Sequence, residues 1–330
     1  MLELSGPTMG TTFSVKVSVD SVRAGEADTL SAVVERTLAR VNALMSTWDP
    51  ESELSRFNRH LSSDPYPISR ETGDVLRIAR EVSRASNGAF DVTVMPLVRA
   101  WGFGDSDRVP QPPEPAELDL LRVKVGYELI QVLPTALVKT LPAVEADVSA
   151  VAKGYGVDAV WKAVAALGFL HILVEVGGEL RAAGRKSPEQ PWRVAIERPD
   201  PGARAMHLAV DLENASMATS GDYRNFYEQD GVWLSHLIDP RTGHPIEHHL
   251  ASVSVIHDEC AWADAWATGL IVLGPVEGPR VAEAQGLAAY FIVREGEEGY
   301  RTLASPAWTA RFPQESATAS AGTSGSETRH

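Results

Sequence analysis

HILVEV, at residues 171–176, opens a run of short β-branched and apolar segments that continues with WRVAIE at 192–197 and SVSVI at 252–256. Segments of this kind, bounded by turn residues, are typical of β-strands. From Phe13 to Val19 the apolar residues fall at every second position, which predicts a further, half-buried strand near the start of the chain. The strands in this chain therefore come from both of its halves.

Between these strands, apolar residues recur at helical spacing. The pattern predicts helices over 29–45, 72–84, 150–166 and 259–273, and a further strand around 124–138. Helices and strands alternate irregularly, without the strand–helix rhythm of a doubly wound sheet. The arrangement therefore favours the α+β class.

The composition of the 330 residues excludes several classes of protein. Apolar residues make up 44% and charged residues 22%, as in ordinary globular chains. The 30 Lys and Arg residues against 44 Asp and Glu residues leave a net charge of −14, which makes nucleic acid and anionic lipid poor partners. The single cysteine, Cys260, excludes an intrachain disulfide and a cysteine-rich zinc site.

Two stretches indicate how the chain is divided. The Pro-rich stretch VPQPPEPAE at 109–117 cannot carry a helix or a central strand and predicts a surface connection between two halves. From Pro313 onwards the chain is rich in Ser, Thr, Ala and Gly, which predicts a disordered tail over 313–330. We therefore expect one domain over 1–312, with two lobes that meet near the 105–120 loop.

No part of the sequence predicts a transmembrane segment or an export signal. The most apolar run, ATGLIVLG at 267–274, is far shorter than the roughly 18 residues that a membrane span needs. The N-terminus lacks the pattern of a secretory signal, and no lipobox cysteine is present. The sequence as written is thus compatible with a cytoplasmic protein.

Six clusters combine glycine, carboxylates and hydroxyl groups in loops or at the ends of predicted elements, where functional sites are usually built. Each one alone is also compatible with an ordinary turn, a helix cap or a buried aromatic residue. In chain order the clusters are MGTT at 9–12, MSTWDPESELSRFN at 45–58, NGAFDVT at 87–93, DVSAVAKGYGVD at 147–158, ATSGDYR at 218–224 with HLIDPRTG at 236–243, and AWADAWAT at 261–268.

Three of these clusters have a specific chemical interpretation. Ser149 can cap a helix whose first-turn amides, together with Lys153, would bind an anion such as a pyrophosphate. His236 can accept a proton from an incoming hydroxyl near neutral pH. Asp264 and Thr268 lie four residues apart on one face of a buried helix. Either they hold a hard cation such as Mg²⁺, or Asp264 pairs with an arginine and Thr268 bonds back to a helix carbonyl.

Taken in order, the clusters resemble the ApbE family, the FAD:protein FMN transferases, over residues 9–274. The resemblance implies a T-fold-related α+β catalytic domain. It also implies an enzyme that binds FAD with Mg²⁺, splits the pyrophosphate and attaches FMN through a phosphoester to a threonine of an electron-transport protein, releasing AMP. The matching motifs are MGTTFSV, MSTWDPESELSRFN, GAFDVTVMPLVRAWGFG, ADVSAVAKGYGVD, LVEVGGELRAAGRK, ATSGDYRNF, HLIDPRTGHPI and ADAWATGLIVLG.

The resemblance also implies roles for single residues. His236 would be the base toward the acceptor threonine, and Asp264 would be a catalytic residue as well as a metal ligand. The metal would be held by the Ala150 carbonyl, Asp264 and Thr268, with Ala267 close by. The flavin nucleotide would be lined by Met9, Trp48, Ala89, Phe90, Asp91, Asp147, Lys153 and Ile238. Family members commonly have tyrosine where this chain has Trp48, and either ring can stack on a flavin.

Two other functions remain open. A FAD pyrophosphatase would use the same metal site with water as the nucleophile, whereas a non-catalytic flavin-binding protein would need neither His236 nor the metal ligands. Acceptors of this family carry Asp, two variable residues and then Ser/Thr-Gly-Ala-Thr. The tail sequence SAGTSGSET resembles this motif only loosely, so we expect the acceptor to be another protein. Family members are often exported and membrane-anchored, which leaves the location open.

Overall fold

The computed structural model of the chain describes residues 1–104, 111–200, 205–222, 226–229, 232–296 and 299–313. The helices in these ranges are α1 (Glu26–Met45), α2 (Glu53–Arg59), α3 (Arg70–Ala85), α4 (Met95–Ala100), α5 (Pro115–Arg122), α6 (Ser149–Ala165), α7 (Cys260–Ala284) and α8 (Pro306–Arg311). The strands are β1 (Leu2–Thr8), β2 (Thr11–Val17), β3 (Tyr66–Pro67), β4 (Ile130–Val132), β5 (Ala136–Lys139), β6 (Ile172–Val176), β7 (Glu179–Ala183), β8 (Trp192–Glu197), β9 (Met206–Leu212), β10 (Ala215–Gly221), β11 (Phe226–Gln229), β12 (Val232–Ser235), β13 (Ile238–Asp239), β14 (His244–Pro245), β15 (Leu250–His257), β16 (Ala288–Glu295) and β17 (Gly299–Ala304).

An eight-stranded sheet, antiparallel throughout, lies at the centre of the fold in the order β1-β2-β6-β7-β10-β15-β16-β17. Two of its hairpins close with two-residue turns, at Met9–Gly10 between β1 and β2 and at Gly177–Gly178 between β6 and β7. All four turn residues have positive φ, as a type I′ turn requires. Smaller sheets pair β3-β5-β4, β8-β9, β11-β12 and β13-β14.

The two faces of the central sheet are covered by different layers. Helices α1, α3, α6 and α7 cover one face, where Val253 and Val255 of β15 share an apolar cluster with Leu270 of α7. The β8–β9 hairpin and α8 cover the other face, where Met217 of β10 lies in a cluster with Trp308. Because each face is covered, the central strand β15 is almost entirely buried.

The fold confirms the predicted mixture of helices and sheet, and most of the predicted elements are present. The predicted helices over 29–45, 72–84 and 150–166 correspond to α1, α3 and α6. The predicted strands near residues 13, 171, 192 and 252 correspond to β2, β6, β8 and β15. Strand β1, in which Leu2 and Leu4 alternate with polar residues, was not among the predicted strands. It is the first strand of the central sheet.

Three boundaries differ from the predictions. The single strand expected over 124–138 is a 3₁₀ turn followed by the β4–β5 hairpin, because Pro134 interrupts the run in a tight turn. Helix α5 begins at Pro115, inside the Pro-rich stretch, since proline is tolerated in the first turn of a helix. Helix α7 continues past 273 to Ala284, with a break at Gly274 where φ is 79°.

The predicted division of the chain stays a prediction. Residues 105–110 of the expected connection and residues 314–330 of the expected tail lie outside the described residues. The longest helix, α7, is strongly apolar. Even so, no helix in the described part of the chain has both the length and the apolarity that crossing a membrane requires.

Helices α6 and α7 touch backbone to backbone at Gly154. A Cβ atom at this position would lie 2.4 Å from the carbonyl oxygen of Cys260 and 2.8 Å from the Cβ of Asp264. One turn further along α6, Asp158 accepts the N–H of Ala261 at 3.0 Å, and a carboxylate at this end of α7 suits the helix dipole. Arg181 of β7 pairs with Asp158, so the sheet is tied to the same contact.

We predict that Gly154→Ala destabilises the fold by about 1–3 kcal/mol, because the added methyl group has no room and the two helix backbones must separate. Gly156→Ala is the matched control in the same helix, since its Cβ would lie 3.4 Å from the flexible Met9 side chain. The gain in helix propensity should leave the control neutral or up to about 1 kcal/mol more stable. Urea unfolding measures both variants, and equal stabilities would contradict the prediction.

Candidate functional site

Three charged side chains from three elements form what we call the Lys153 cluster, namely Lys153 of α6, Glu179 of β7 and Asp264 of α7. The Lys153 Nζ atom lies 2.7 Å from Oε1 of Glu179 and 3.5 Å from Oδ1 of Asp264. The carboxylate side chains are 4% and 2% exposed, whereas the Lys153 side chain keeps 29% of its surface. Lys153 is therefore the most accessible member of the cluster.

Close backbone approach brings three sequence motifs to this cluster. A Cβ at Gly177 would lie 2.8 Å from Cγ2 of Thr11 and 3.1 Å from Cδ of Lys153. The Gly177 N–H donates to the carbonyl of Thr12. The motifs MGTT, VGGE and AKGYG therefore meet around the stem of Lys153, and Met9 packs next to them beside Gly156.

Asp264 is held against the backbone of α6. Its Oδ2 accepts the N–H of Gly154 at 2.9 Å. In a regular helix that N–H would donate to the carbonyl of Ala150, so Asp264 and Ala150 compete for one donor. One turn along α7, Thr268 Oγ1 lies 3.0 Å from Oγ of Ser220 on β10. Among the residues that the structure describes, the cation paired with Asp264 is Lys153 and not an arginine, as the alternative expected.

The charge of the cluster is unbalanced, with two carboxylates against one ammonium. Burial raises the pKa of Glu179 to about 7, although the Lys153 ammonium acts in the opposite direction. Burial lowers the pKa of Lys153, but Asp264 and Glu179 outweigh it and leave the pKa above its ordinary value. Lys153 is therefore a permanent cation at neutral pH, and the buried site favours additional positive charge.

The sequence alone does not assign a role to Glu179, although the residue lies in the motif LVEVGGELRAAGRK. The available signal was a glutamate directly after a Gly-Gly turn, at the start of a strand. This position brings the carboxylate to the end of the hairpin, which here faces α6.

Asp91 and Asp147, two of the residues expected to line the flavin nucleotide, are bound to the protein itself. Asp91 accepts hydrogen bonds from the N–H and the hydroxyl of Thr93 on one oxygen and from the N–H of Tyr127 on the other. Burial raises the pKa of Asp91 despite these contacts. Asp147 accepts the N–H of Ser149 at 2.6 Å and a long contact, 3.4 Å, from the Thr47 hydroxyl. Both carboxylates therefore hold the backbone around them in place through hydrogen bonds.

The expected role of Ser149 as a helix cap is wrong. Ser149 is the first residue of α6, and the preceding Val148 makes no side-chain capping bond. The N–H of Ser149 donates to the carboxylate of Asp147. An aspartate two residues ahead of an N–H readily forms this local contact. The Thr47–Asp147 contact also brings the segment of Trp48 to the start of α6. The Trp48 side chain itself is exposed, with 74% of its surface accessible.

The remaining predicted residues lie in two places. Ala89, Phe90 and Ala267 are buried in the main core, and Phe90 packs against Gly269, the residue after Thr268. Ile238 belongs to a smaller cluster with Trp101. His236 is half-buried there, with its ring edge-on to Phe103 at a centroid distance of 6.4 Å. The structure thus joins Lys153 and Asp264 directly, with Met9 packed beside the same helix, and places His236 in a separate cluster.

Comparison with known proteins identifies close relatives of this chain. A model of the ApbE family matches residues 9–291. A Vibrio cholerae protein named FAD:protein FMN transferase is 41% identical over 304 residues, 92% of this chain and 90% of that protein. The solved structure of flavin transferase ApbE from Vibrio cholerae has a TM-score of 0.86 at 40% identity, covering 94% and 98% of the two chains. For the apo form of Pseudomonas stutzeri flavinyl transferase ApbE, the TM-score is 0.85 at 38% identity, covering 94% and 96%.

We predict that Asp91→Asn lowers the free energy of unfolding by about 1–3 kcal/mol, because an amide cannot accept from both Thr93 and Tyr127 and leaves a buried N–H unpaired. Asp119→Asn, on the exposed side of α5, is the control and should stay within about 0.5 kcal/mol of the parent. Urea unfolding in the absence of nucleotide measures both variants. A fully stable Asp91→Asn protein would show that this carboxylate does not hold the fold.

Proposed function

The chain belongs to the ApbE family of transferases, and we propose that it moves FMN from FAD to an acceptor protein. In the proposed reaction the FAD pyrophosphate is cleaved, FMN is attached through a phosphoester to a threonine of the acceptor, AMP is released, and Mg²⁺ is required. The observation that carries this proposal is the Lys153 cluster, in which a partly exposed lysine lies beside two buried carboxylates. Such a site offers charge both to an anionic nucleotide and to a cation.

The side chains at this place fit Mg²⁺. The carboxylate of Asp264, the hydroxyl of Thr268 and the carbonyl of Ala150 are hard oxygen donors, the type that Mg²⁺ prefers. Because Asp264 competes with Ala150 for the Gly154 N–H, the Ala150 carbonyl has lone-pair capacity to spare. Ala267 precedes Thr268 in the same turn of α7, and its side chain is buried in the main core.

This donor set is too small to hold a metal alone. No group of three or more His, Cys, Asp or Glu side chains in the described ranges is arranged to bind one. Mg²⁺ usually keeps several waters and takes substrate phosphate oxygens beside one or two carboxylates. The residues therefore fit a metal that binds together with a dinucleotide, and when bound it would offset negative charge on the pyrophosphate.

The residues of the chain divide the remaining work between binding and proton transfer. The Lys153 ammonium places a fixed positive charge beside the pyrophosphate, and the exposed ring of Trp48 offers a flat surface for stacking. In the transfer step the threonine oxygen forms a bond to the phosphorus of the FMN half. The bridging P–O bond breaks and AMP leaves with the bridging oxygen. His236 accepts the proton of the threonine hydroxyl, and the edge of Phe103 limits the orientations of its ring.

The test is to incubate the protein with FAD and Mg²⁺, with and without a protein that carries the acceptor threonine motif, and to measure AMP and acceptor-bound flavin. We expect AMP only with the acceptor, in equal amounts with covalent flavin. AMP without acceptor would indicate a FAD pyrophosphatase, and no AMP in either case would indicate a flavin-binding protein.

Asp264→Ala should abolish AMP release. His236→Ala should suppress transfer by roughly 10²-fold or more, the usual contribution of a general base, and unchanged transfer would remove His236 from this role.

We further predict that Mg²⁺ binds at least about 10-fold more tightly in the presence of FAD than in its absence, because the nucleotide completes a ligand set that is too small alone. Calorimetric titration of Mg²⁺ into the protein with and without FAD measures the two affinities. Asp264→Ala serves as the control, since it should lose most binding in both titrations. Equal affinities of the parent protein with and without FAD would contradict the proposed shared site.

A further inference from the structure

Glu179 is a buried carboxylate that the proposed reaction does not use. The residue is 3% exposed, and its Oε1 makes a short contact with Lys153. The other oxygen, Oε2, is buried and has no hydrogen-bond partner in the described structure. Burying a half-satisfied carboxylate is unfavourable, so a role for this side chain beyond packing is required.

The distances show which carboxylate holds the lysine. The Nζ atom of Lys153 is at hydrogen-bond distance from Glu179, 2.7 Å, but at the outer limit of contact with Asp264, 3.5 Å. The Gly177 turn also lies against the lysine stem, where a Cβ would come within 3.1 Å of Cδ. The β6–β7 hairpin therefore holds both the stem and the head of Lys153.

Of the two Asp264 oxygens, Oδ1 is the one that does not accept a backbone hydrogen bond. Its Oδ2 accepts the Gly154 N–H, and Oδ1 is the atom that faces Lys153. A lysine released from Glu179 would find Oδ1 as its nearest anion, because the flexible four-carbon stem allows the ammonium to move. The ammonium and a divalent cation would then compete for the same oxygen.

We propose that Glu179 is a positioning residue, which holds the ammonium of Lys153 away from Oδ1 of Asp264 and so keeps that oxygen available to a divalent cation. The inference rests on the proposed function, because it concerns the same metal site. Glu179 acts through Lys153 and not by contact with the substrate. Without the Glu179 carboxylate, the Lys153 ammonium should move onto Oδ1 of Asp264 and weaken metal binding there. The effect should therefore require the lysine.

The decisive experiment is a double-mutant cycle of Glu179→Gln and Lys153→Met, with Mg²⁺ binding measured by calorimetry on each FAD-saturated protein without acceptor. AMP is measured after each titration, so that turnover is not mistaken for binding. Glu179→Gln should weaken Mg²⁺ binding by about 10-fold or more, the size of effect found for residues behind a metal ligand. In the Lys153→Met background the same substitution should change the affinity by less than about threefold, since the two residues act as one unit. If Glu179→Gln weakens Mg²⁺ binding by the same factor in the parent protein and in the Lys153→Met background, the proposal is overturned.

Two further variants keep the test decisive if the lysine variant does not fold. Glu179→Asp keeps the charge and should bind Mg²⁺ more tightly than Glu179→Gln, whereas equal weakening would overturn the proposal. Glu213→Gln removes an exposed partner of Arg185 and should leave the affinity unchanged. Thermal unfolding verifies that each protein is folded.

The experiment also separates this inference from the proposed function. If the unsubstituted protein with FAD binds no Mg²⁺, the proposed metal site fails. If the unsubstituted protein binds Mg²⁺ and Glu179→Gln binds it equally well, only the role of Glu179 fails.

Discussion

The direct backbone contact between α6 and α7 at Gly154 determines where the charged groups of the site lie. With no side chain between the helices, Asp264 can reach the Gly154 N–H, and the residue before this glycine, Lys153, then lies within reach of the same carboxylate. Asp158 secures the contact from the next turn by capping α7. Any wider separation of the helices would break the backbone contact of Asp264 and the ion pair together.

The central sheet supplies the second carboxylate of the cluster, Glu179 of β7. Two helices alone would leave Lys153 free to neutralise Asp264, whereas β7 brings a second carboxylate to the opposite side of the ammonium. When both carboxylates are ionised, the cluster carries one more negative charge than positive charge, which suits the proposed divalent cation together with its anionic nucleotide better than either ligand alone. In a chain with a net charge of −14, the attraction for an anion at this site comes from Lys153 and from whatever cation binds beside it.

The sequence predicts what depends on local periodicity and does not predict what depends on distant partners. The apolar spacing of α1, α3 and α6 is a property of each segment and locates these helices within a few residues. The single strand expected across Pro134 failed because a local turn outweighs an apolar run. Glu179 is buried beside Lys153, which lies 26 residues earlier in the chain. The surroundings of His236 include Phe103 from an earlier part of the chain. Neither environment is visible in a short window of sequence.

The strand order of the central sheet has a consequence for the life of the newly made chain. During synthesis β2 is made long before its partner β6, and β7 before its partner β10, and α7 follows all four of these strands. Pairings between distant segments form slowly and leave strand edges open until their partners arrive. The chain therefore cannot assemble its charged cluster before Asp264 has been synthesised, and a nascent chain that ends earlier lacks one of the three charged groups.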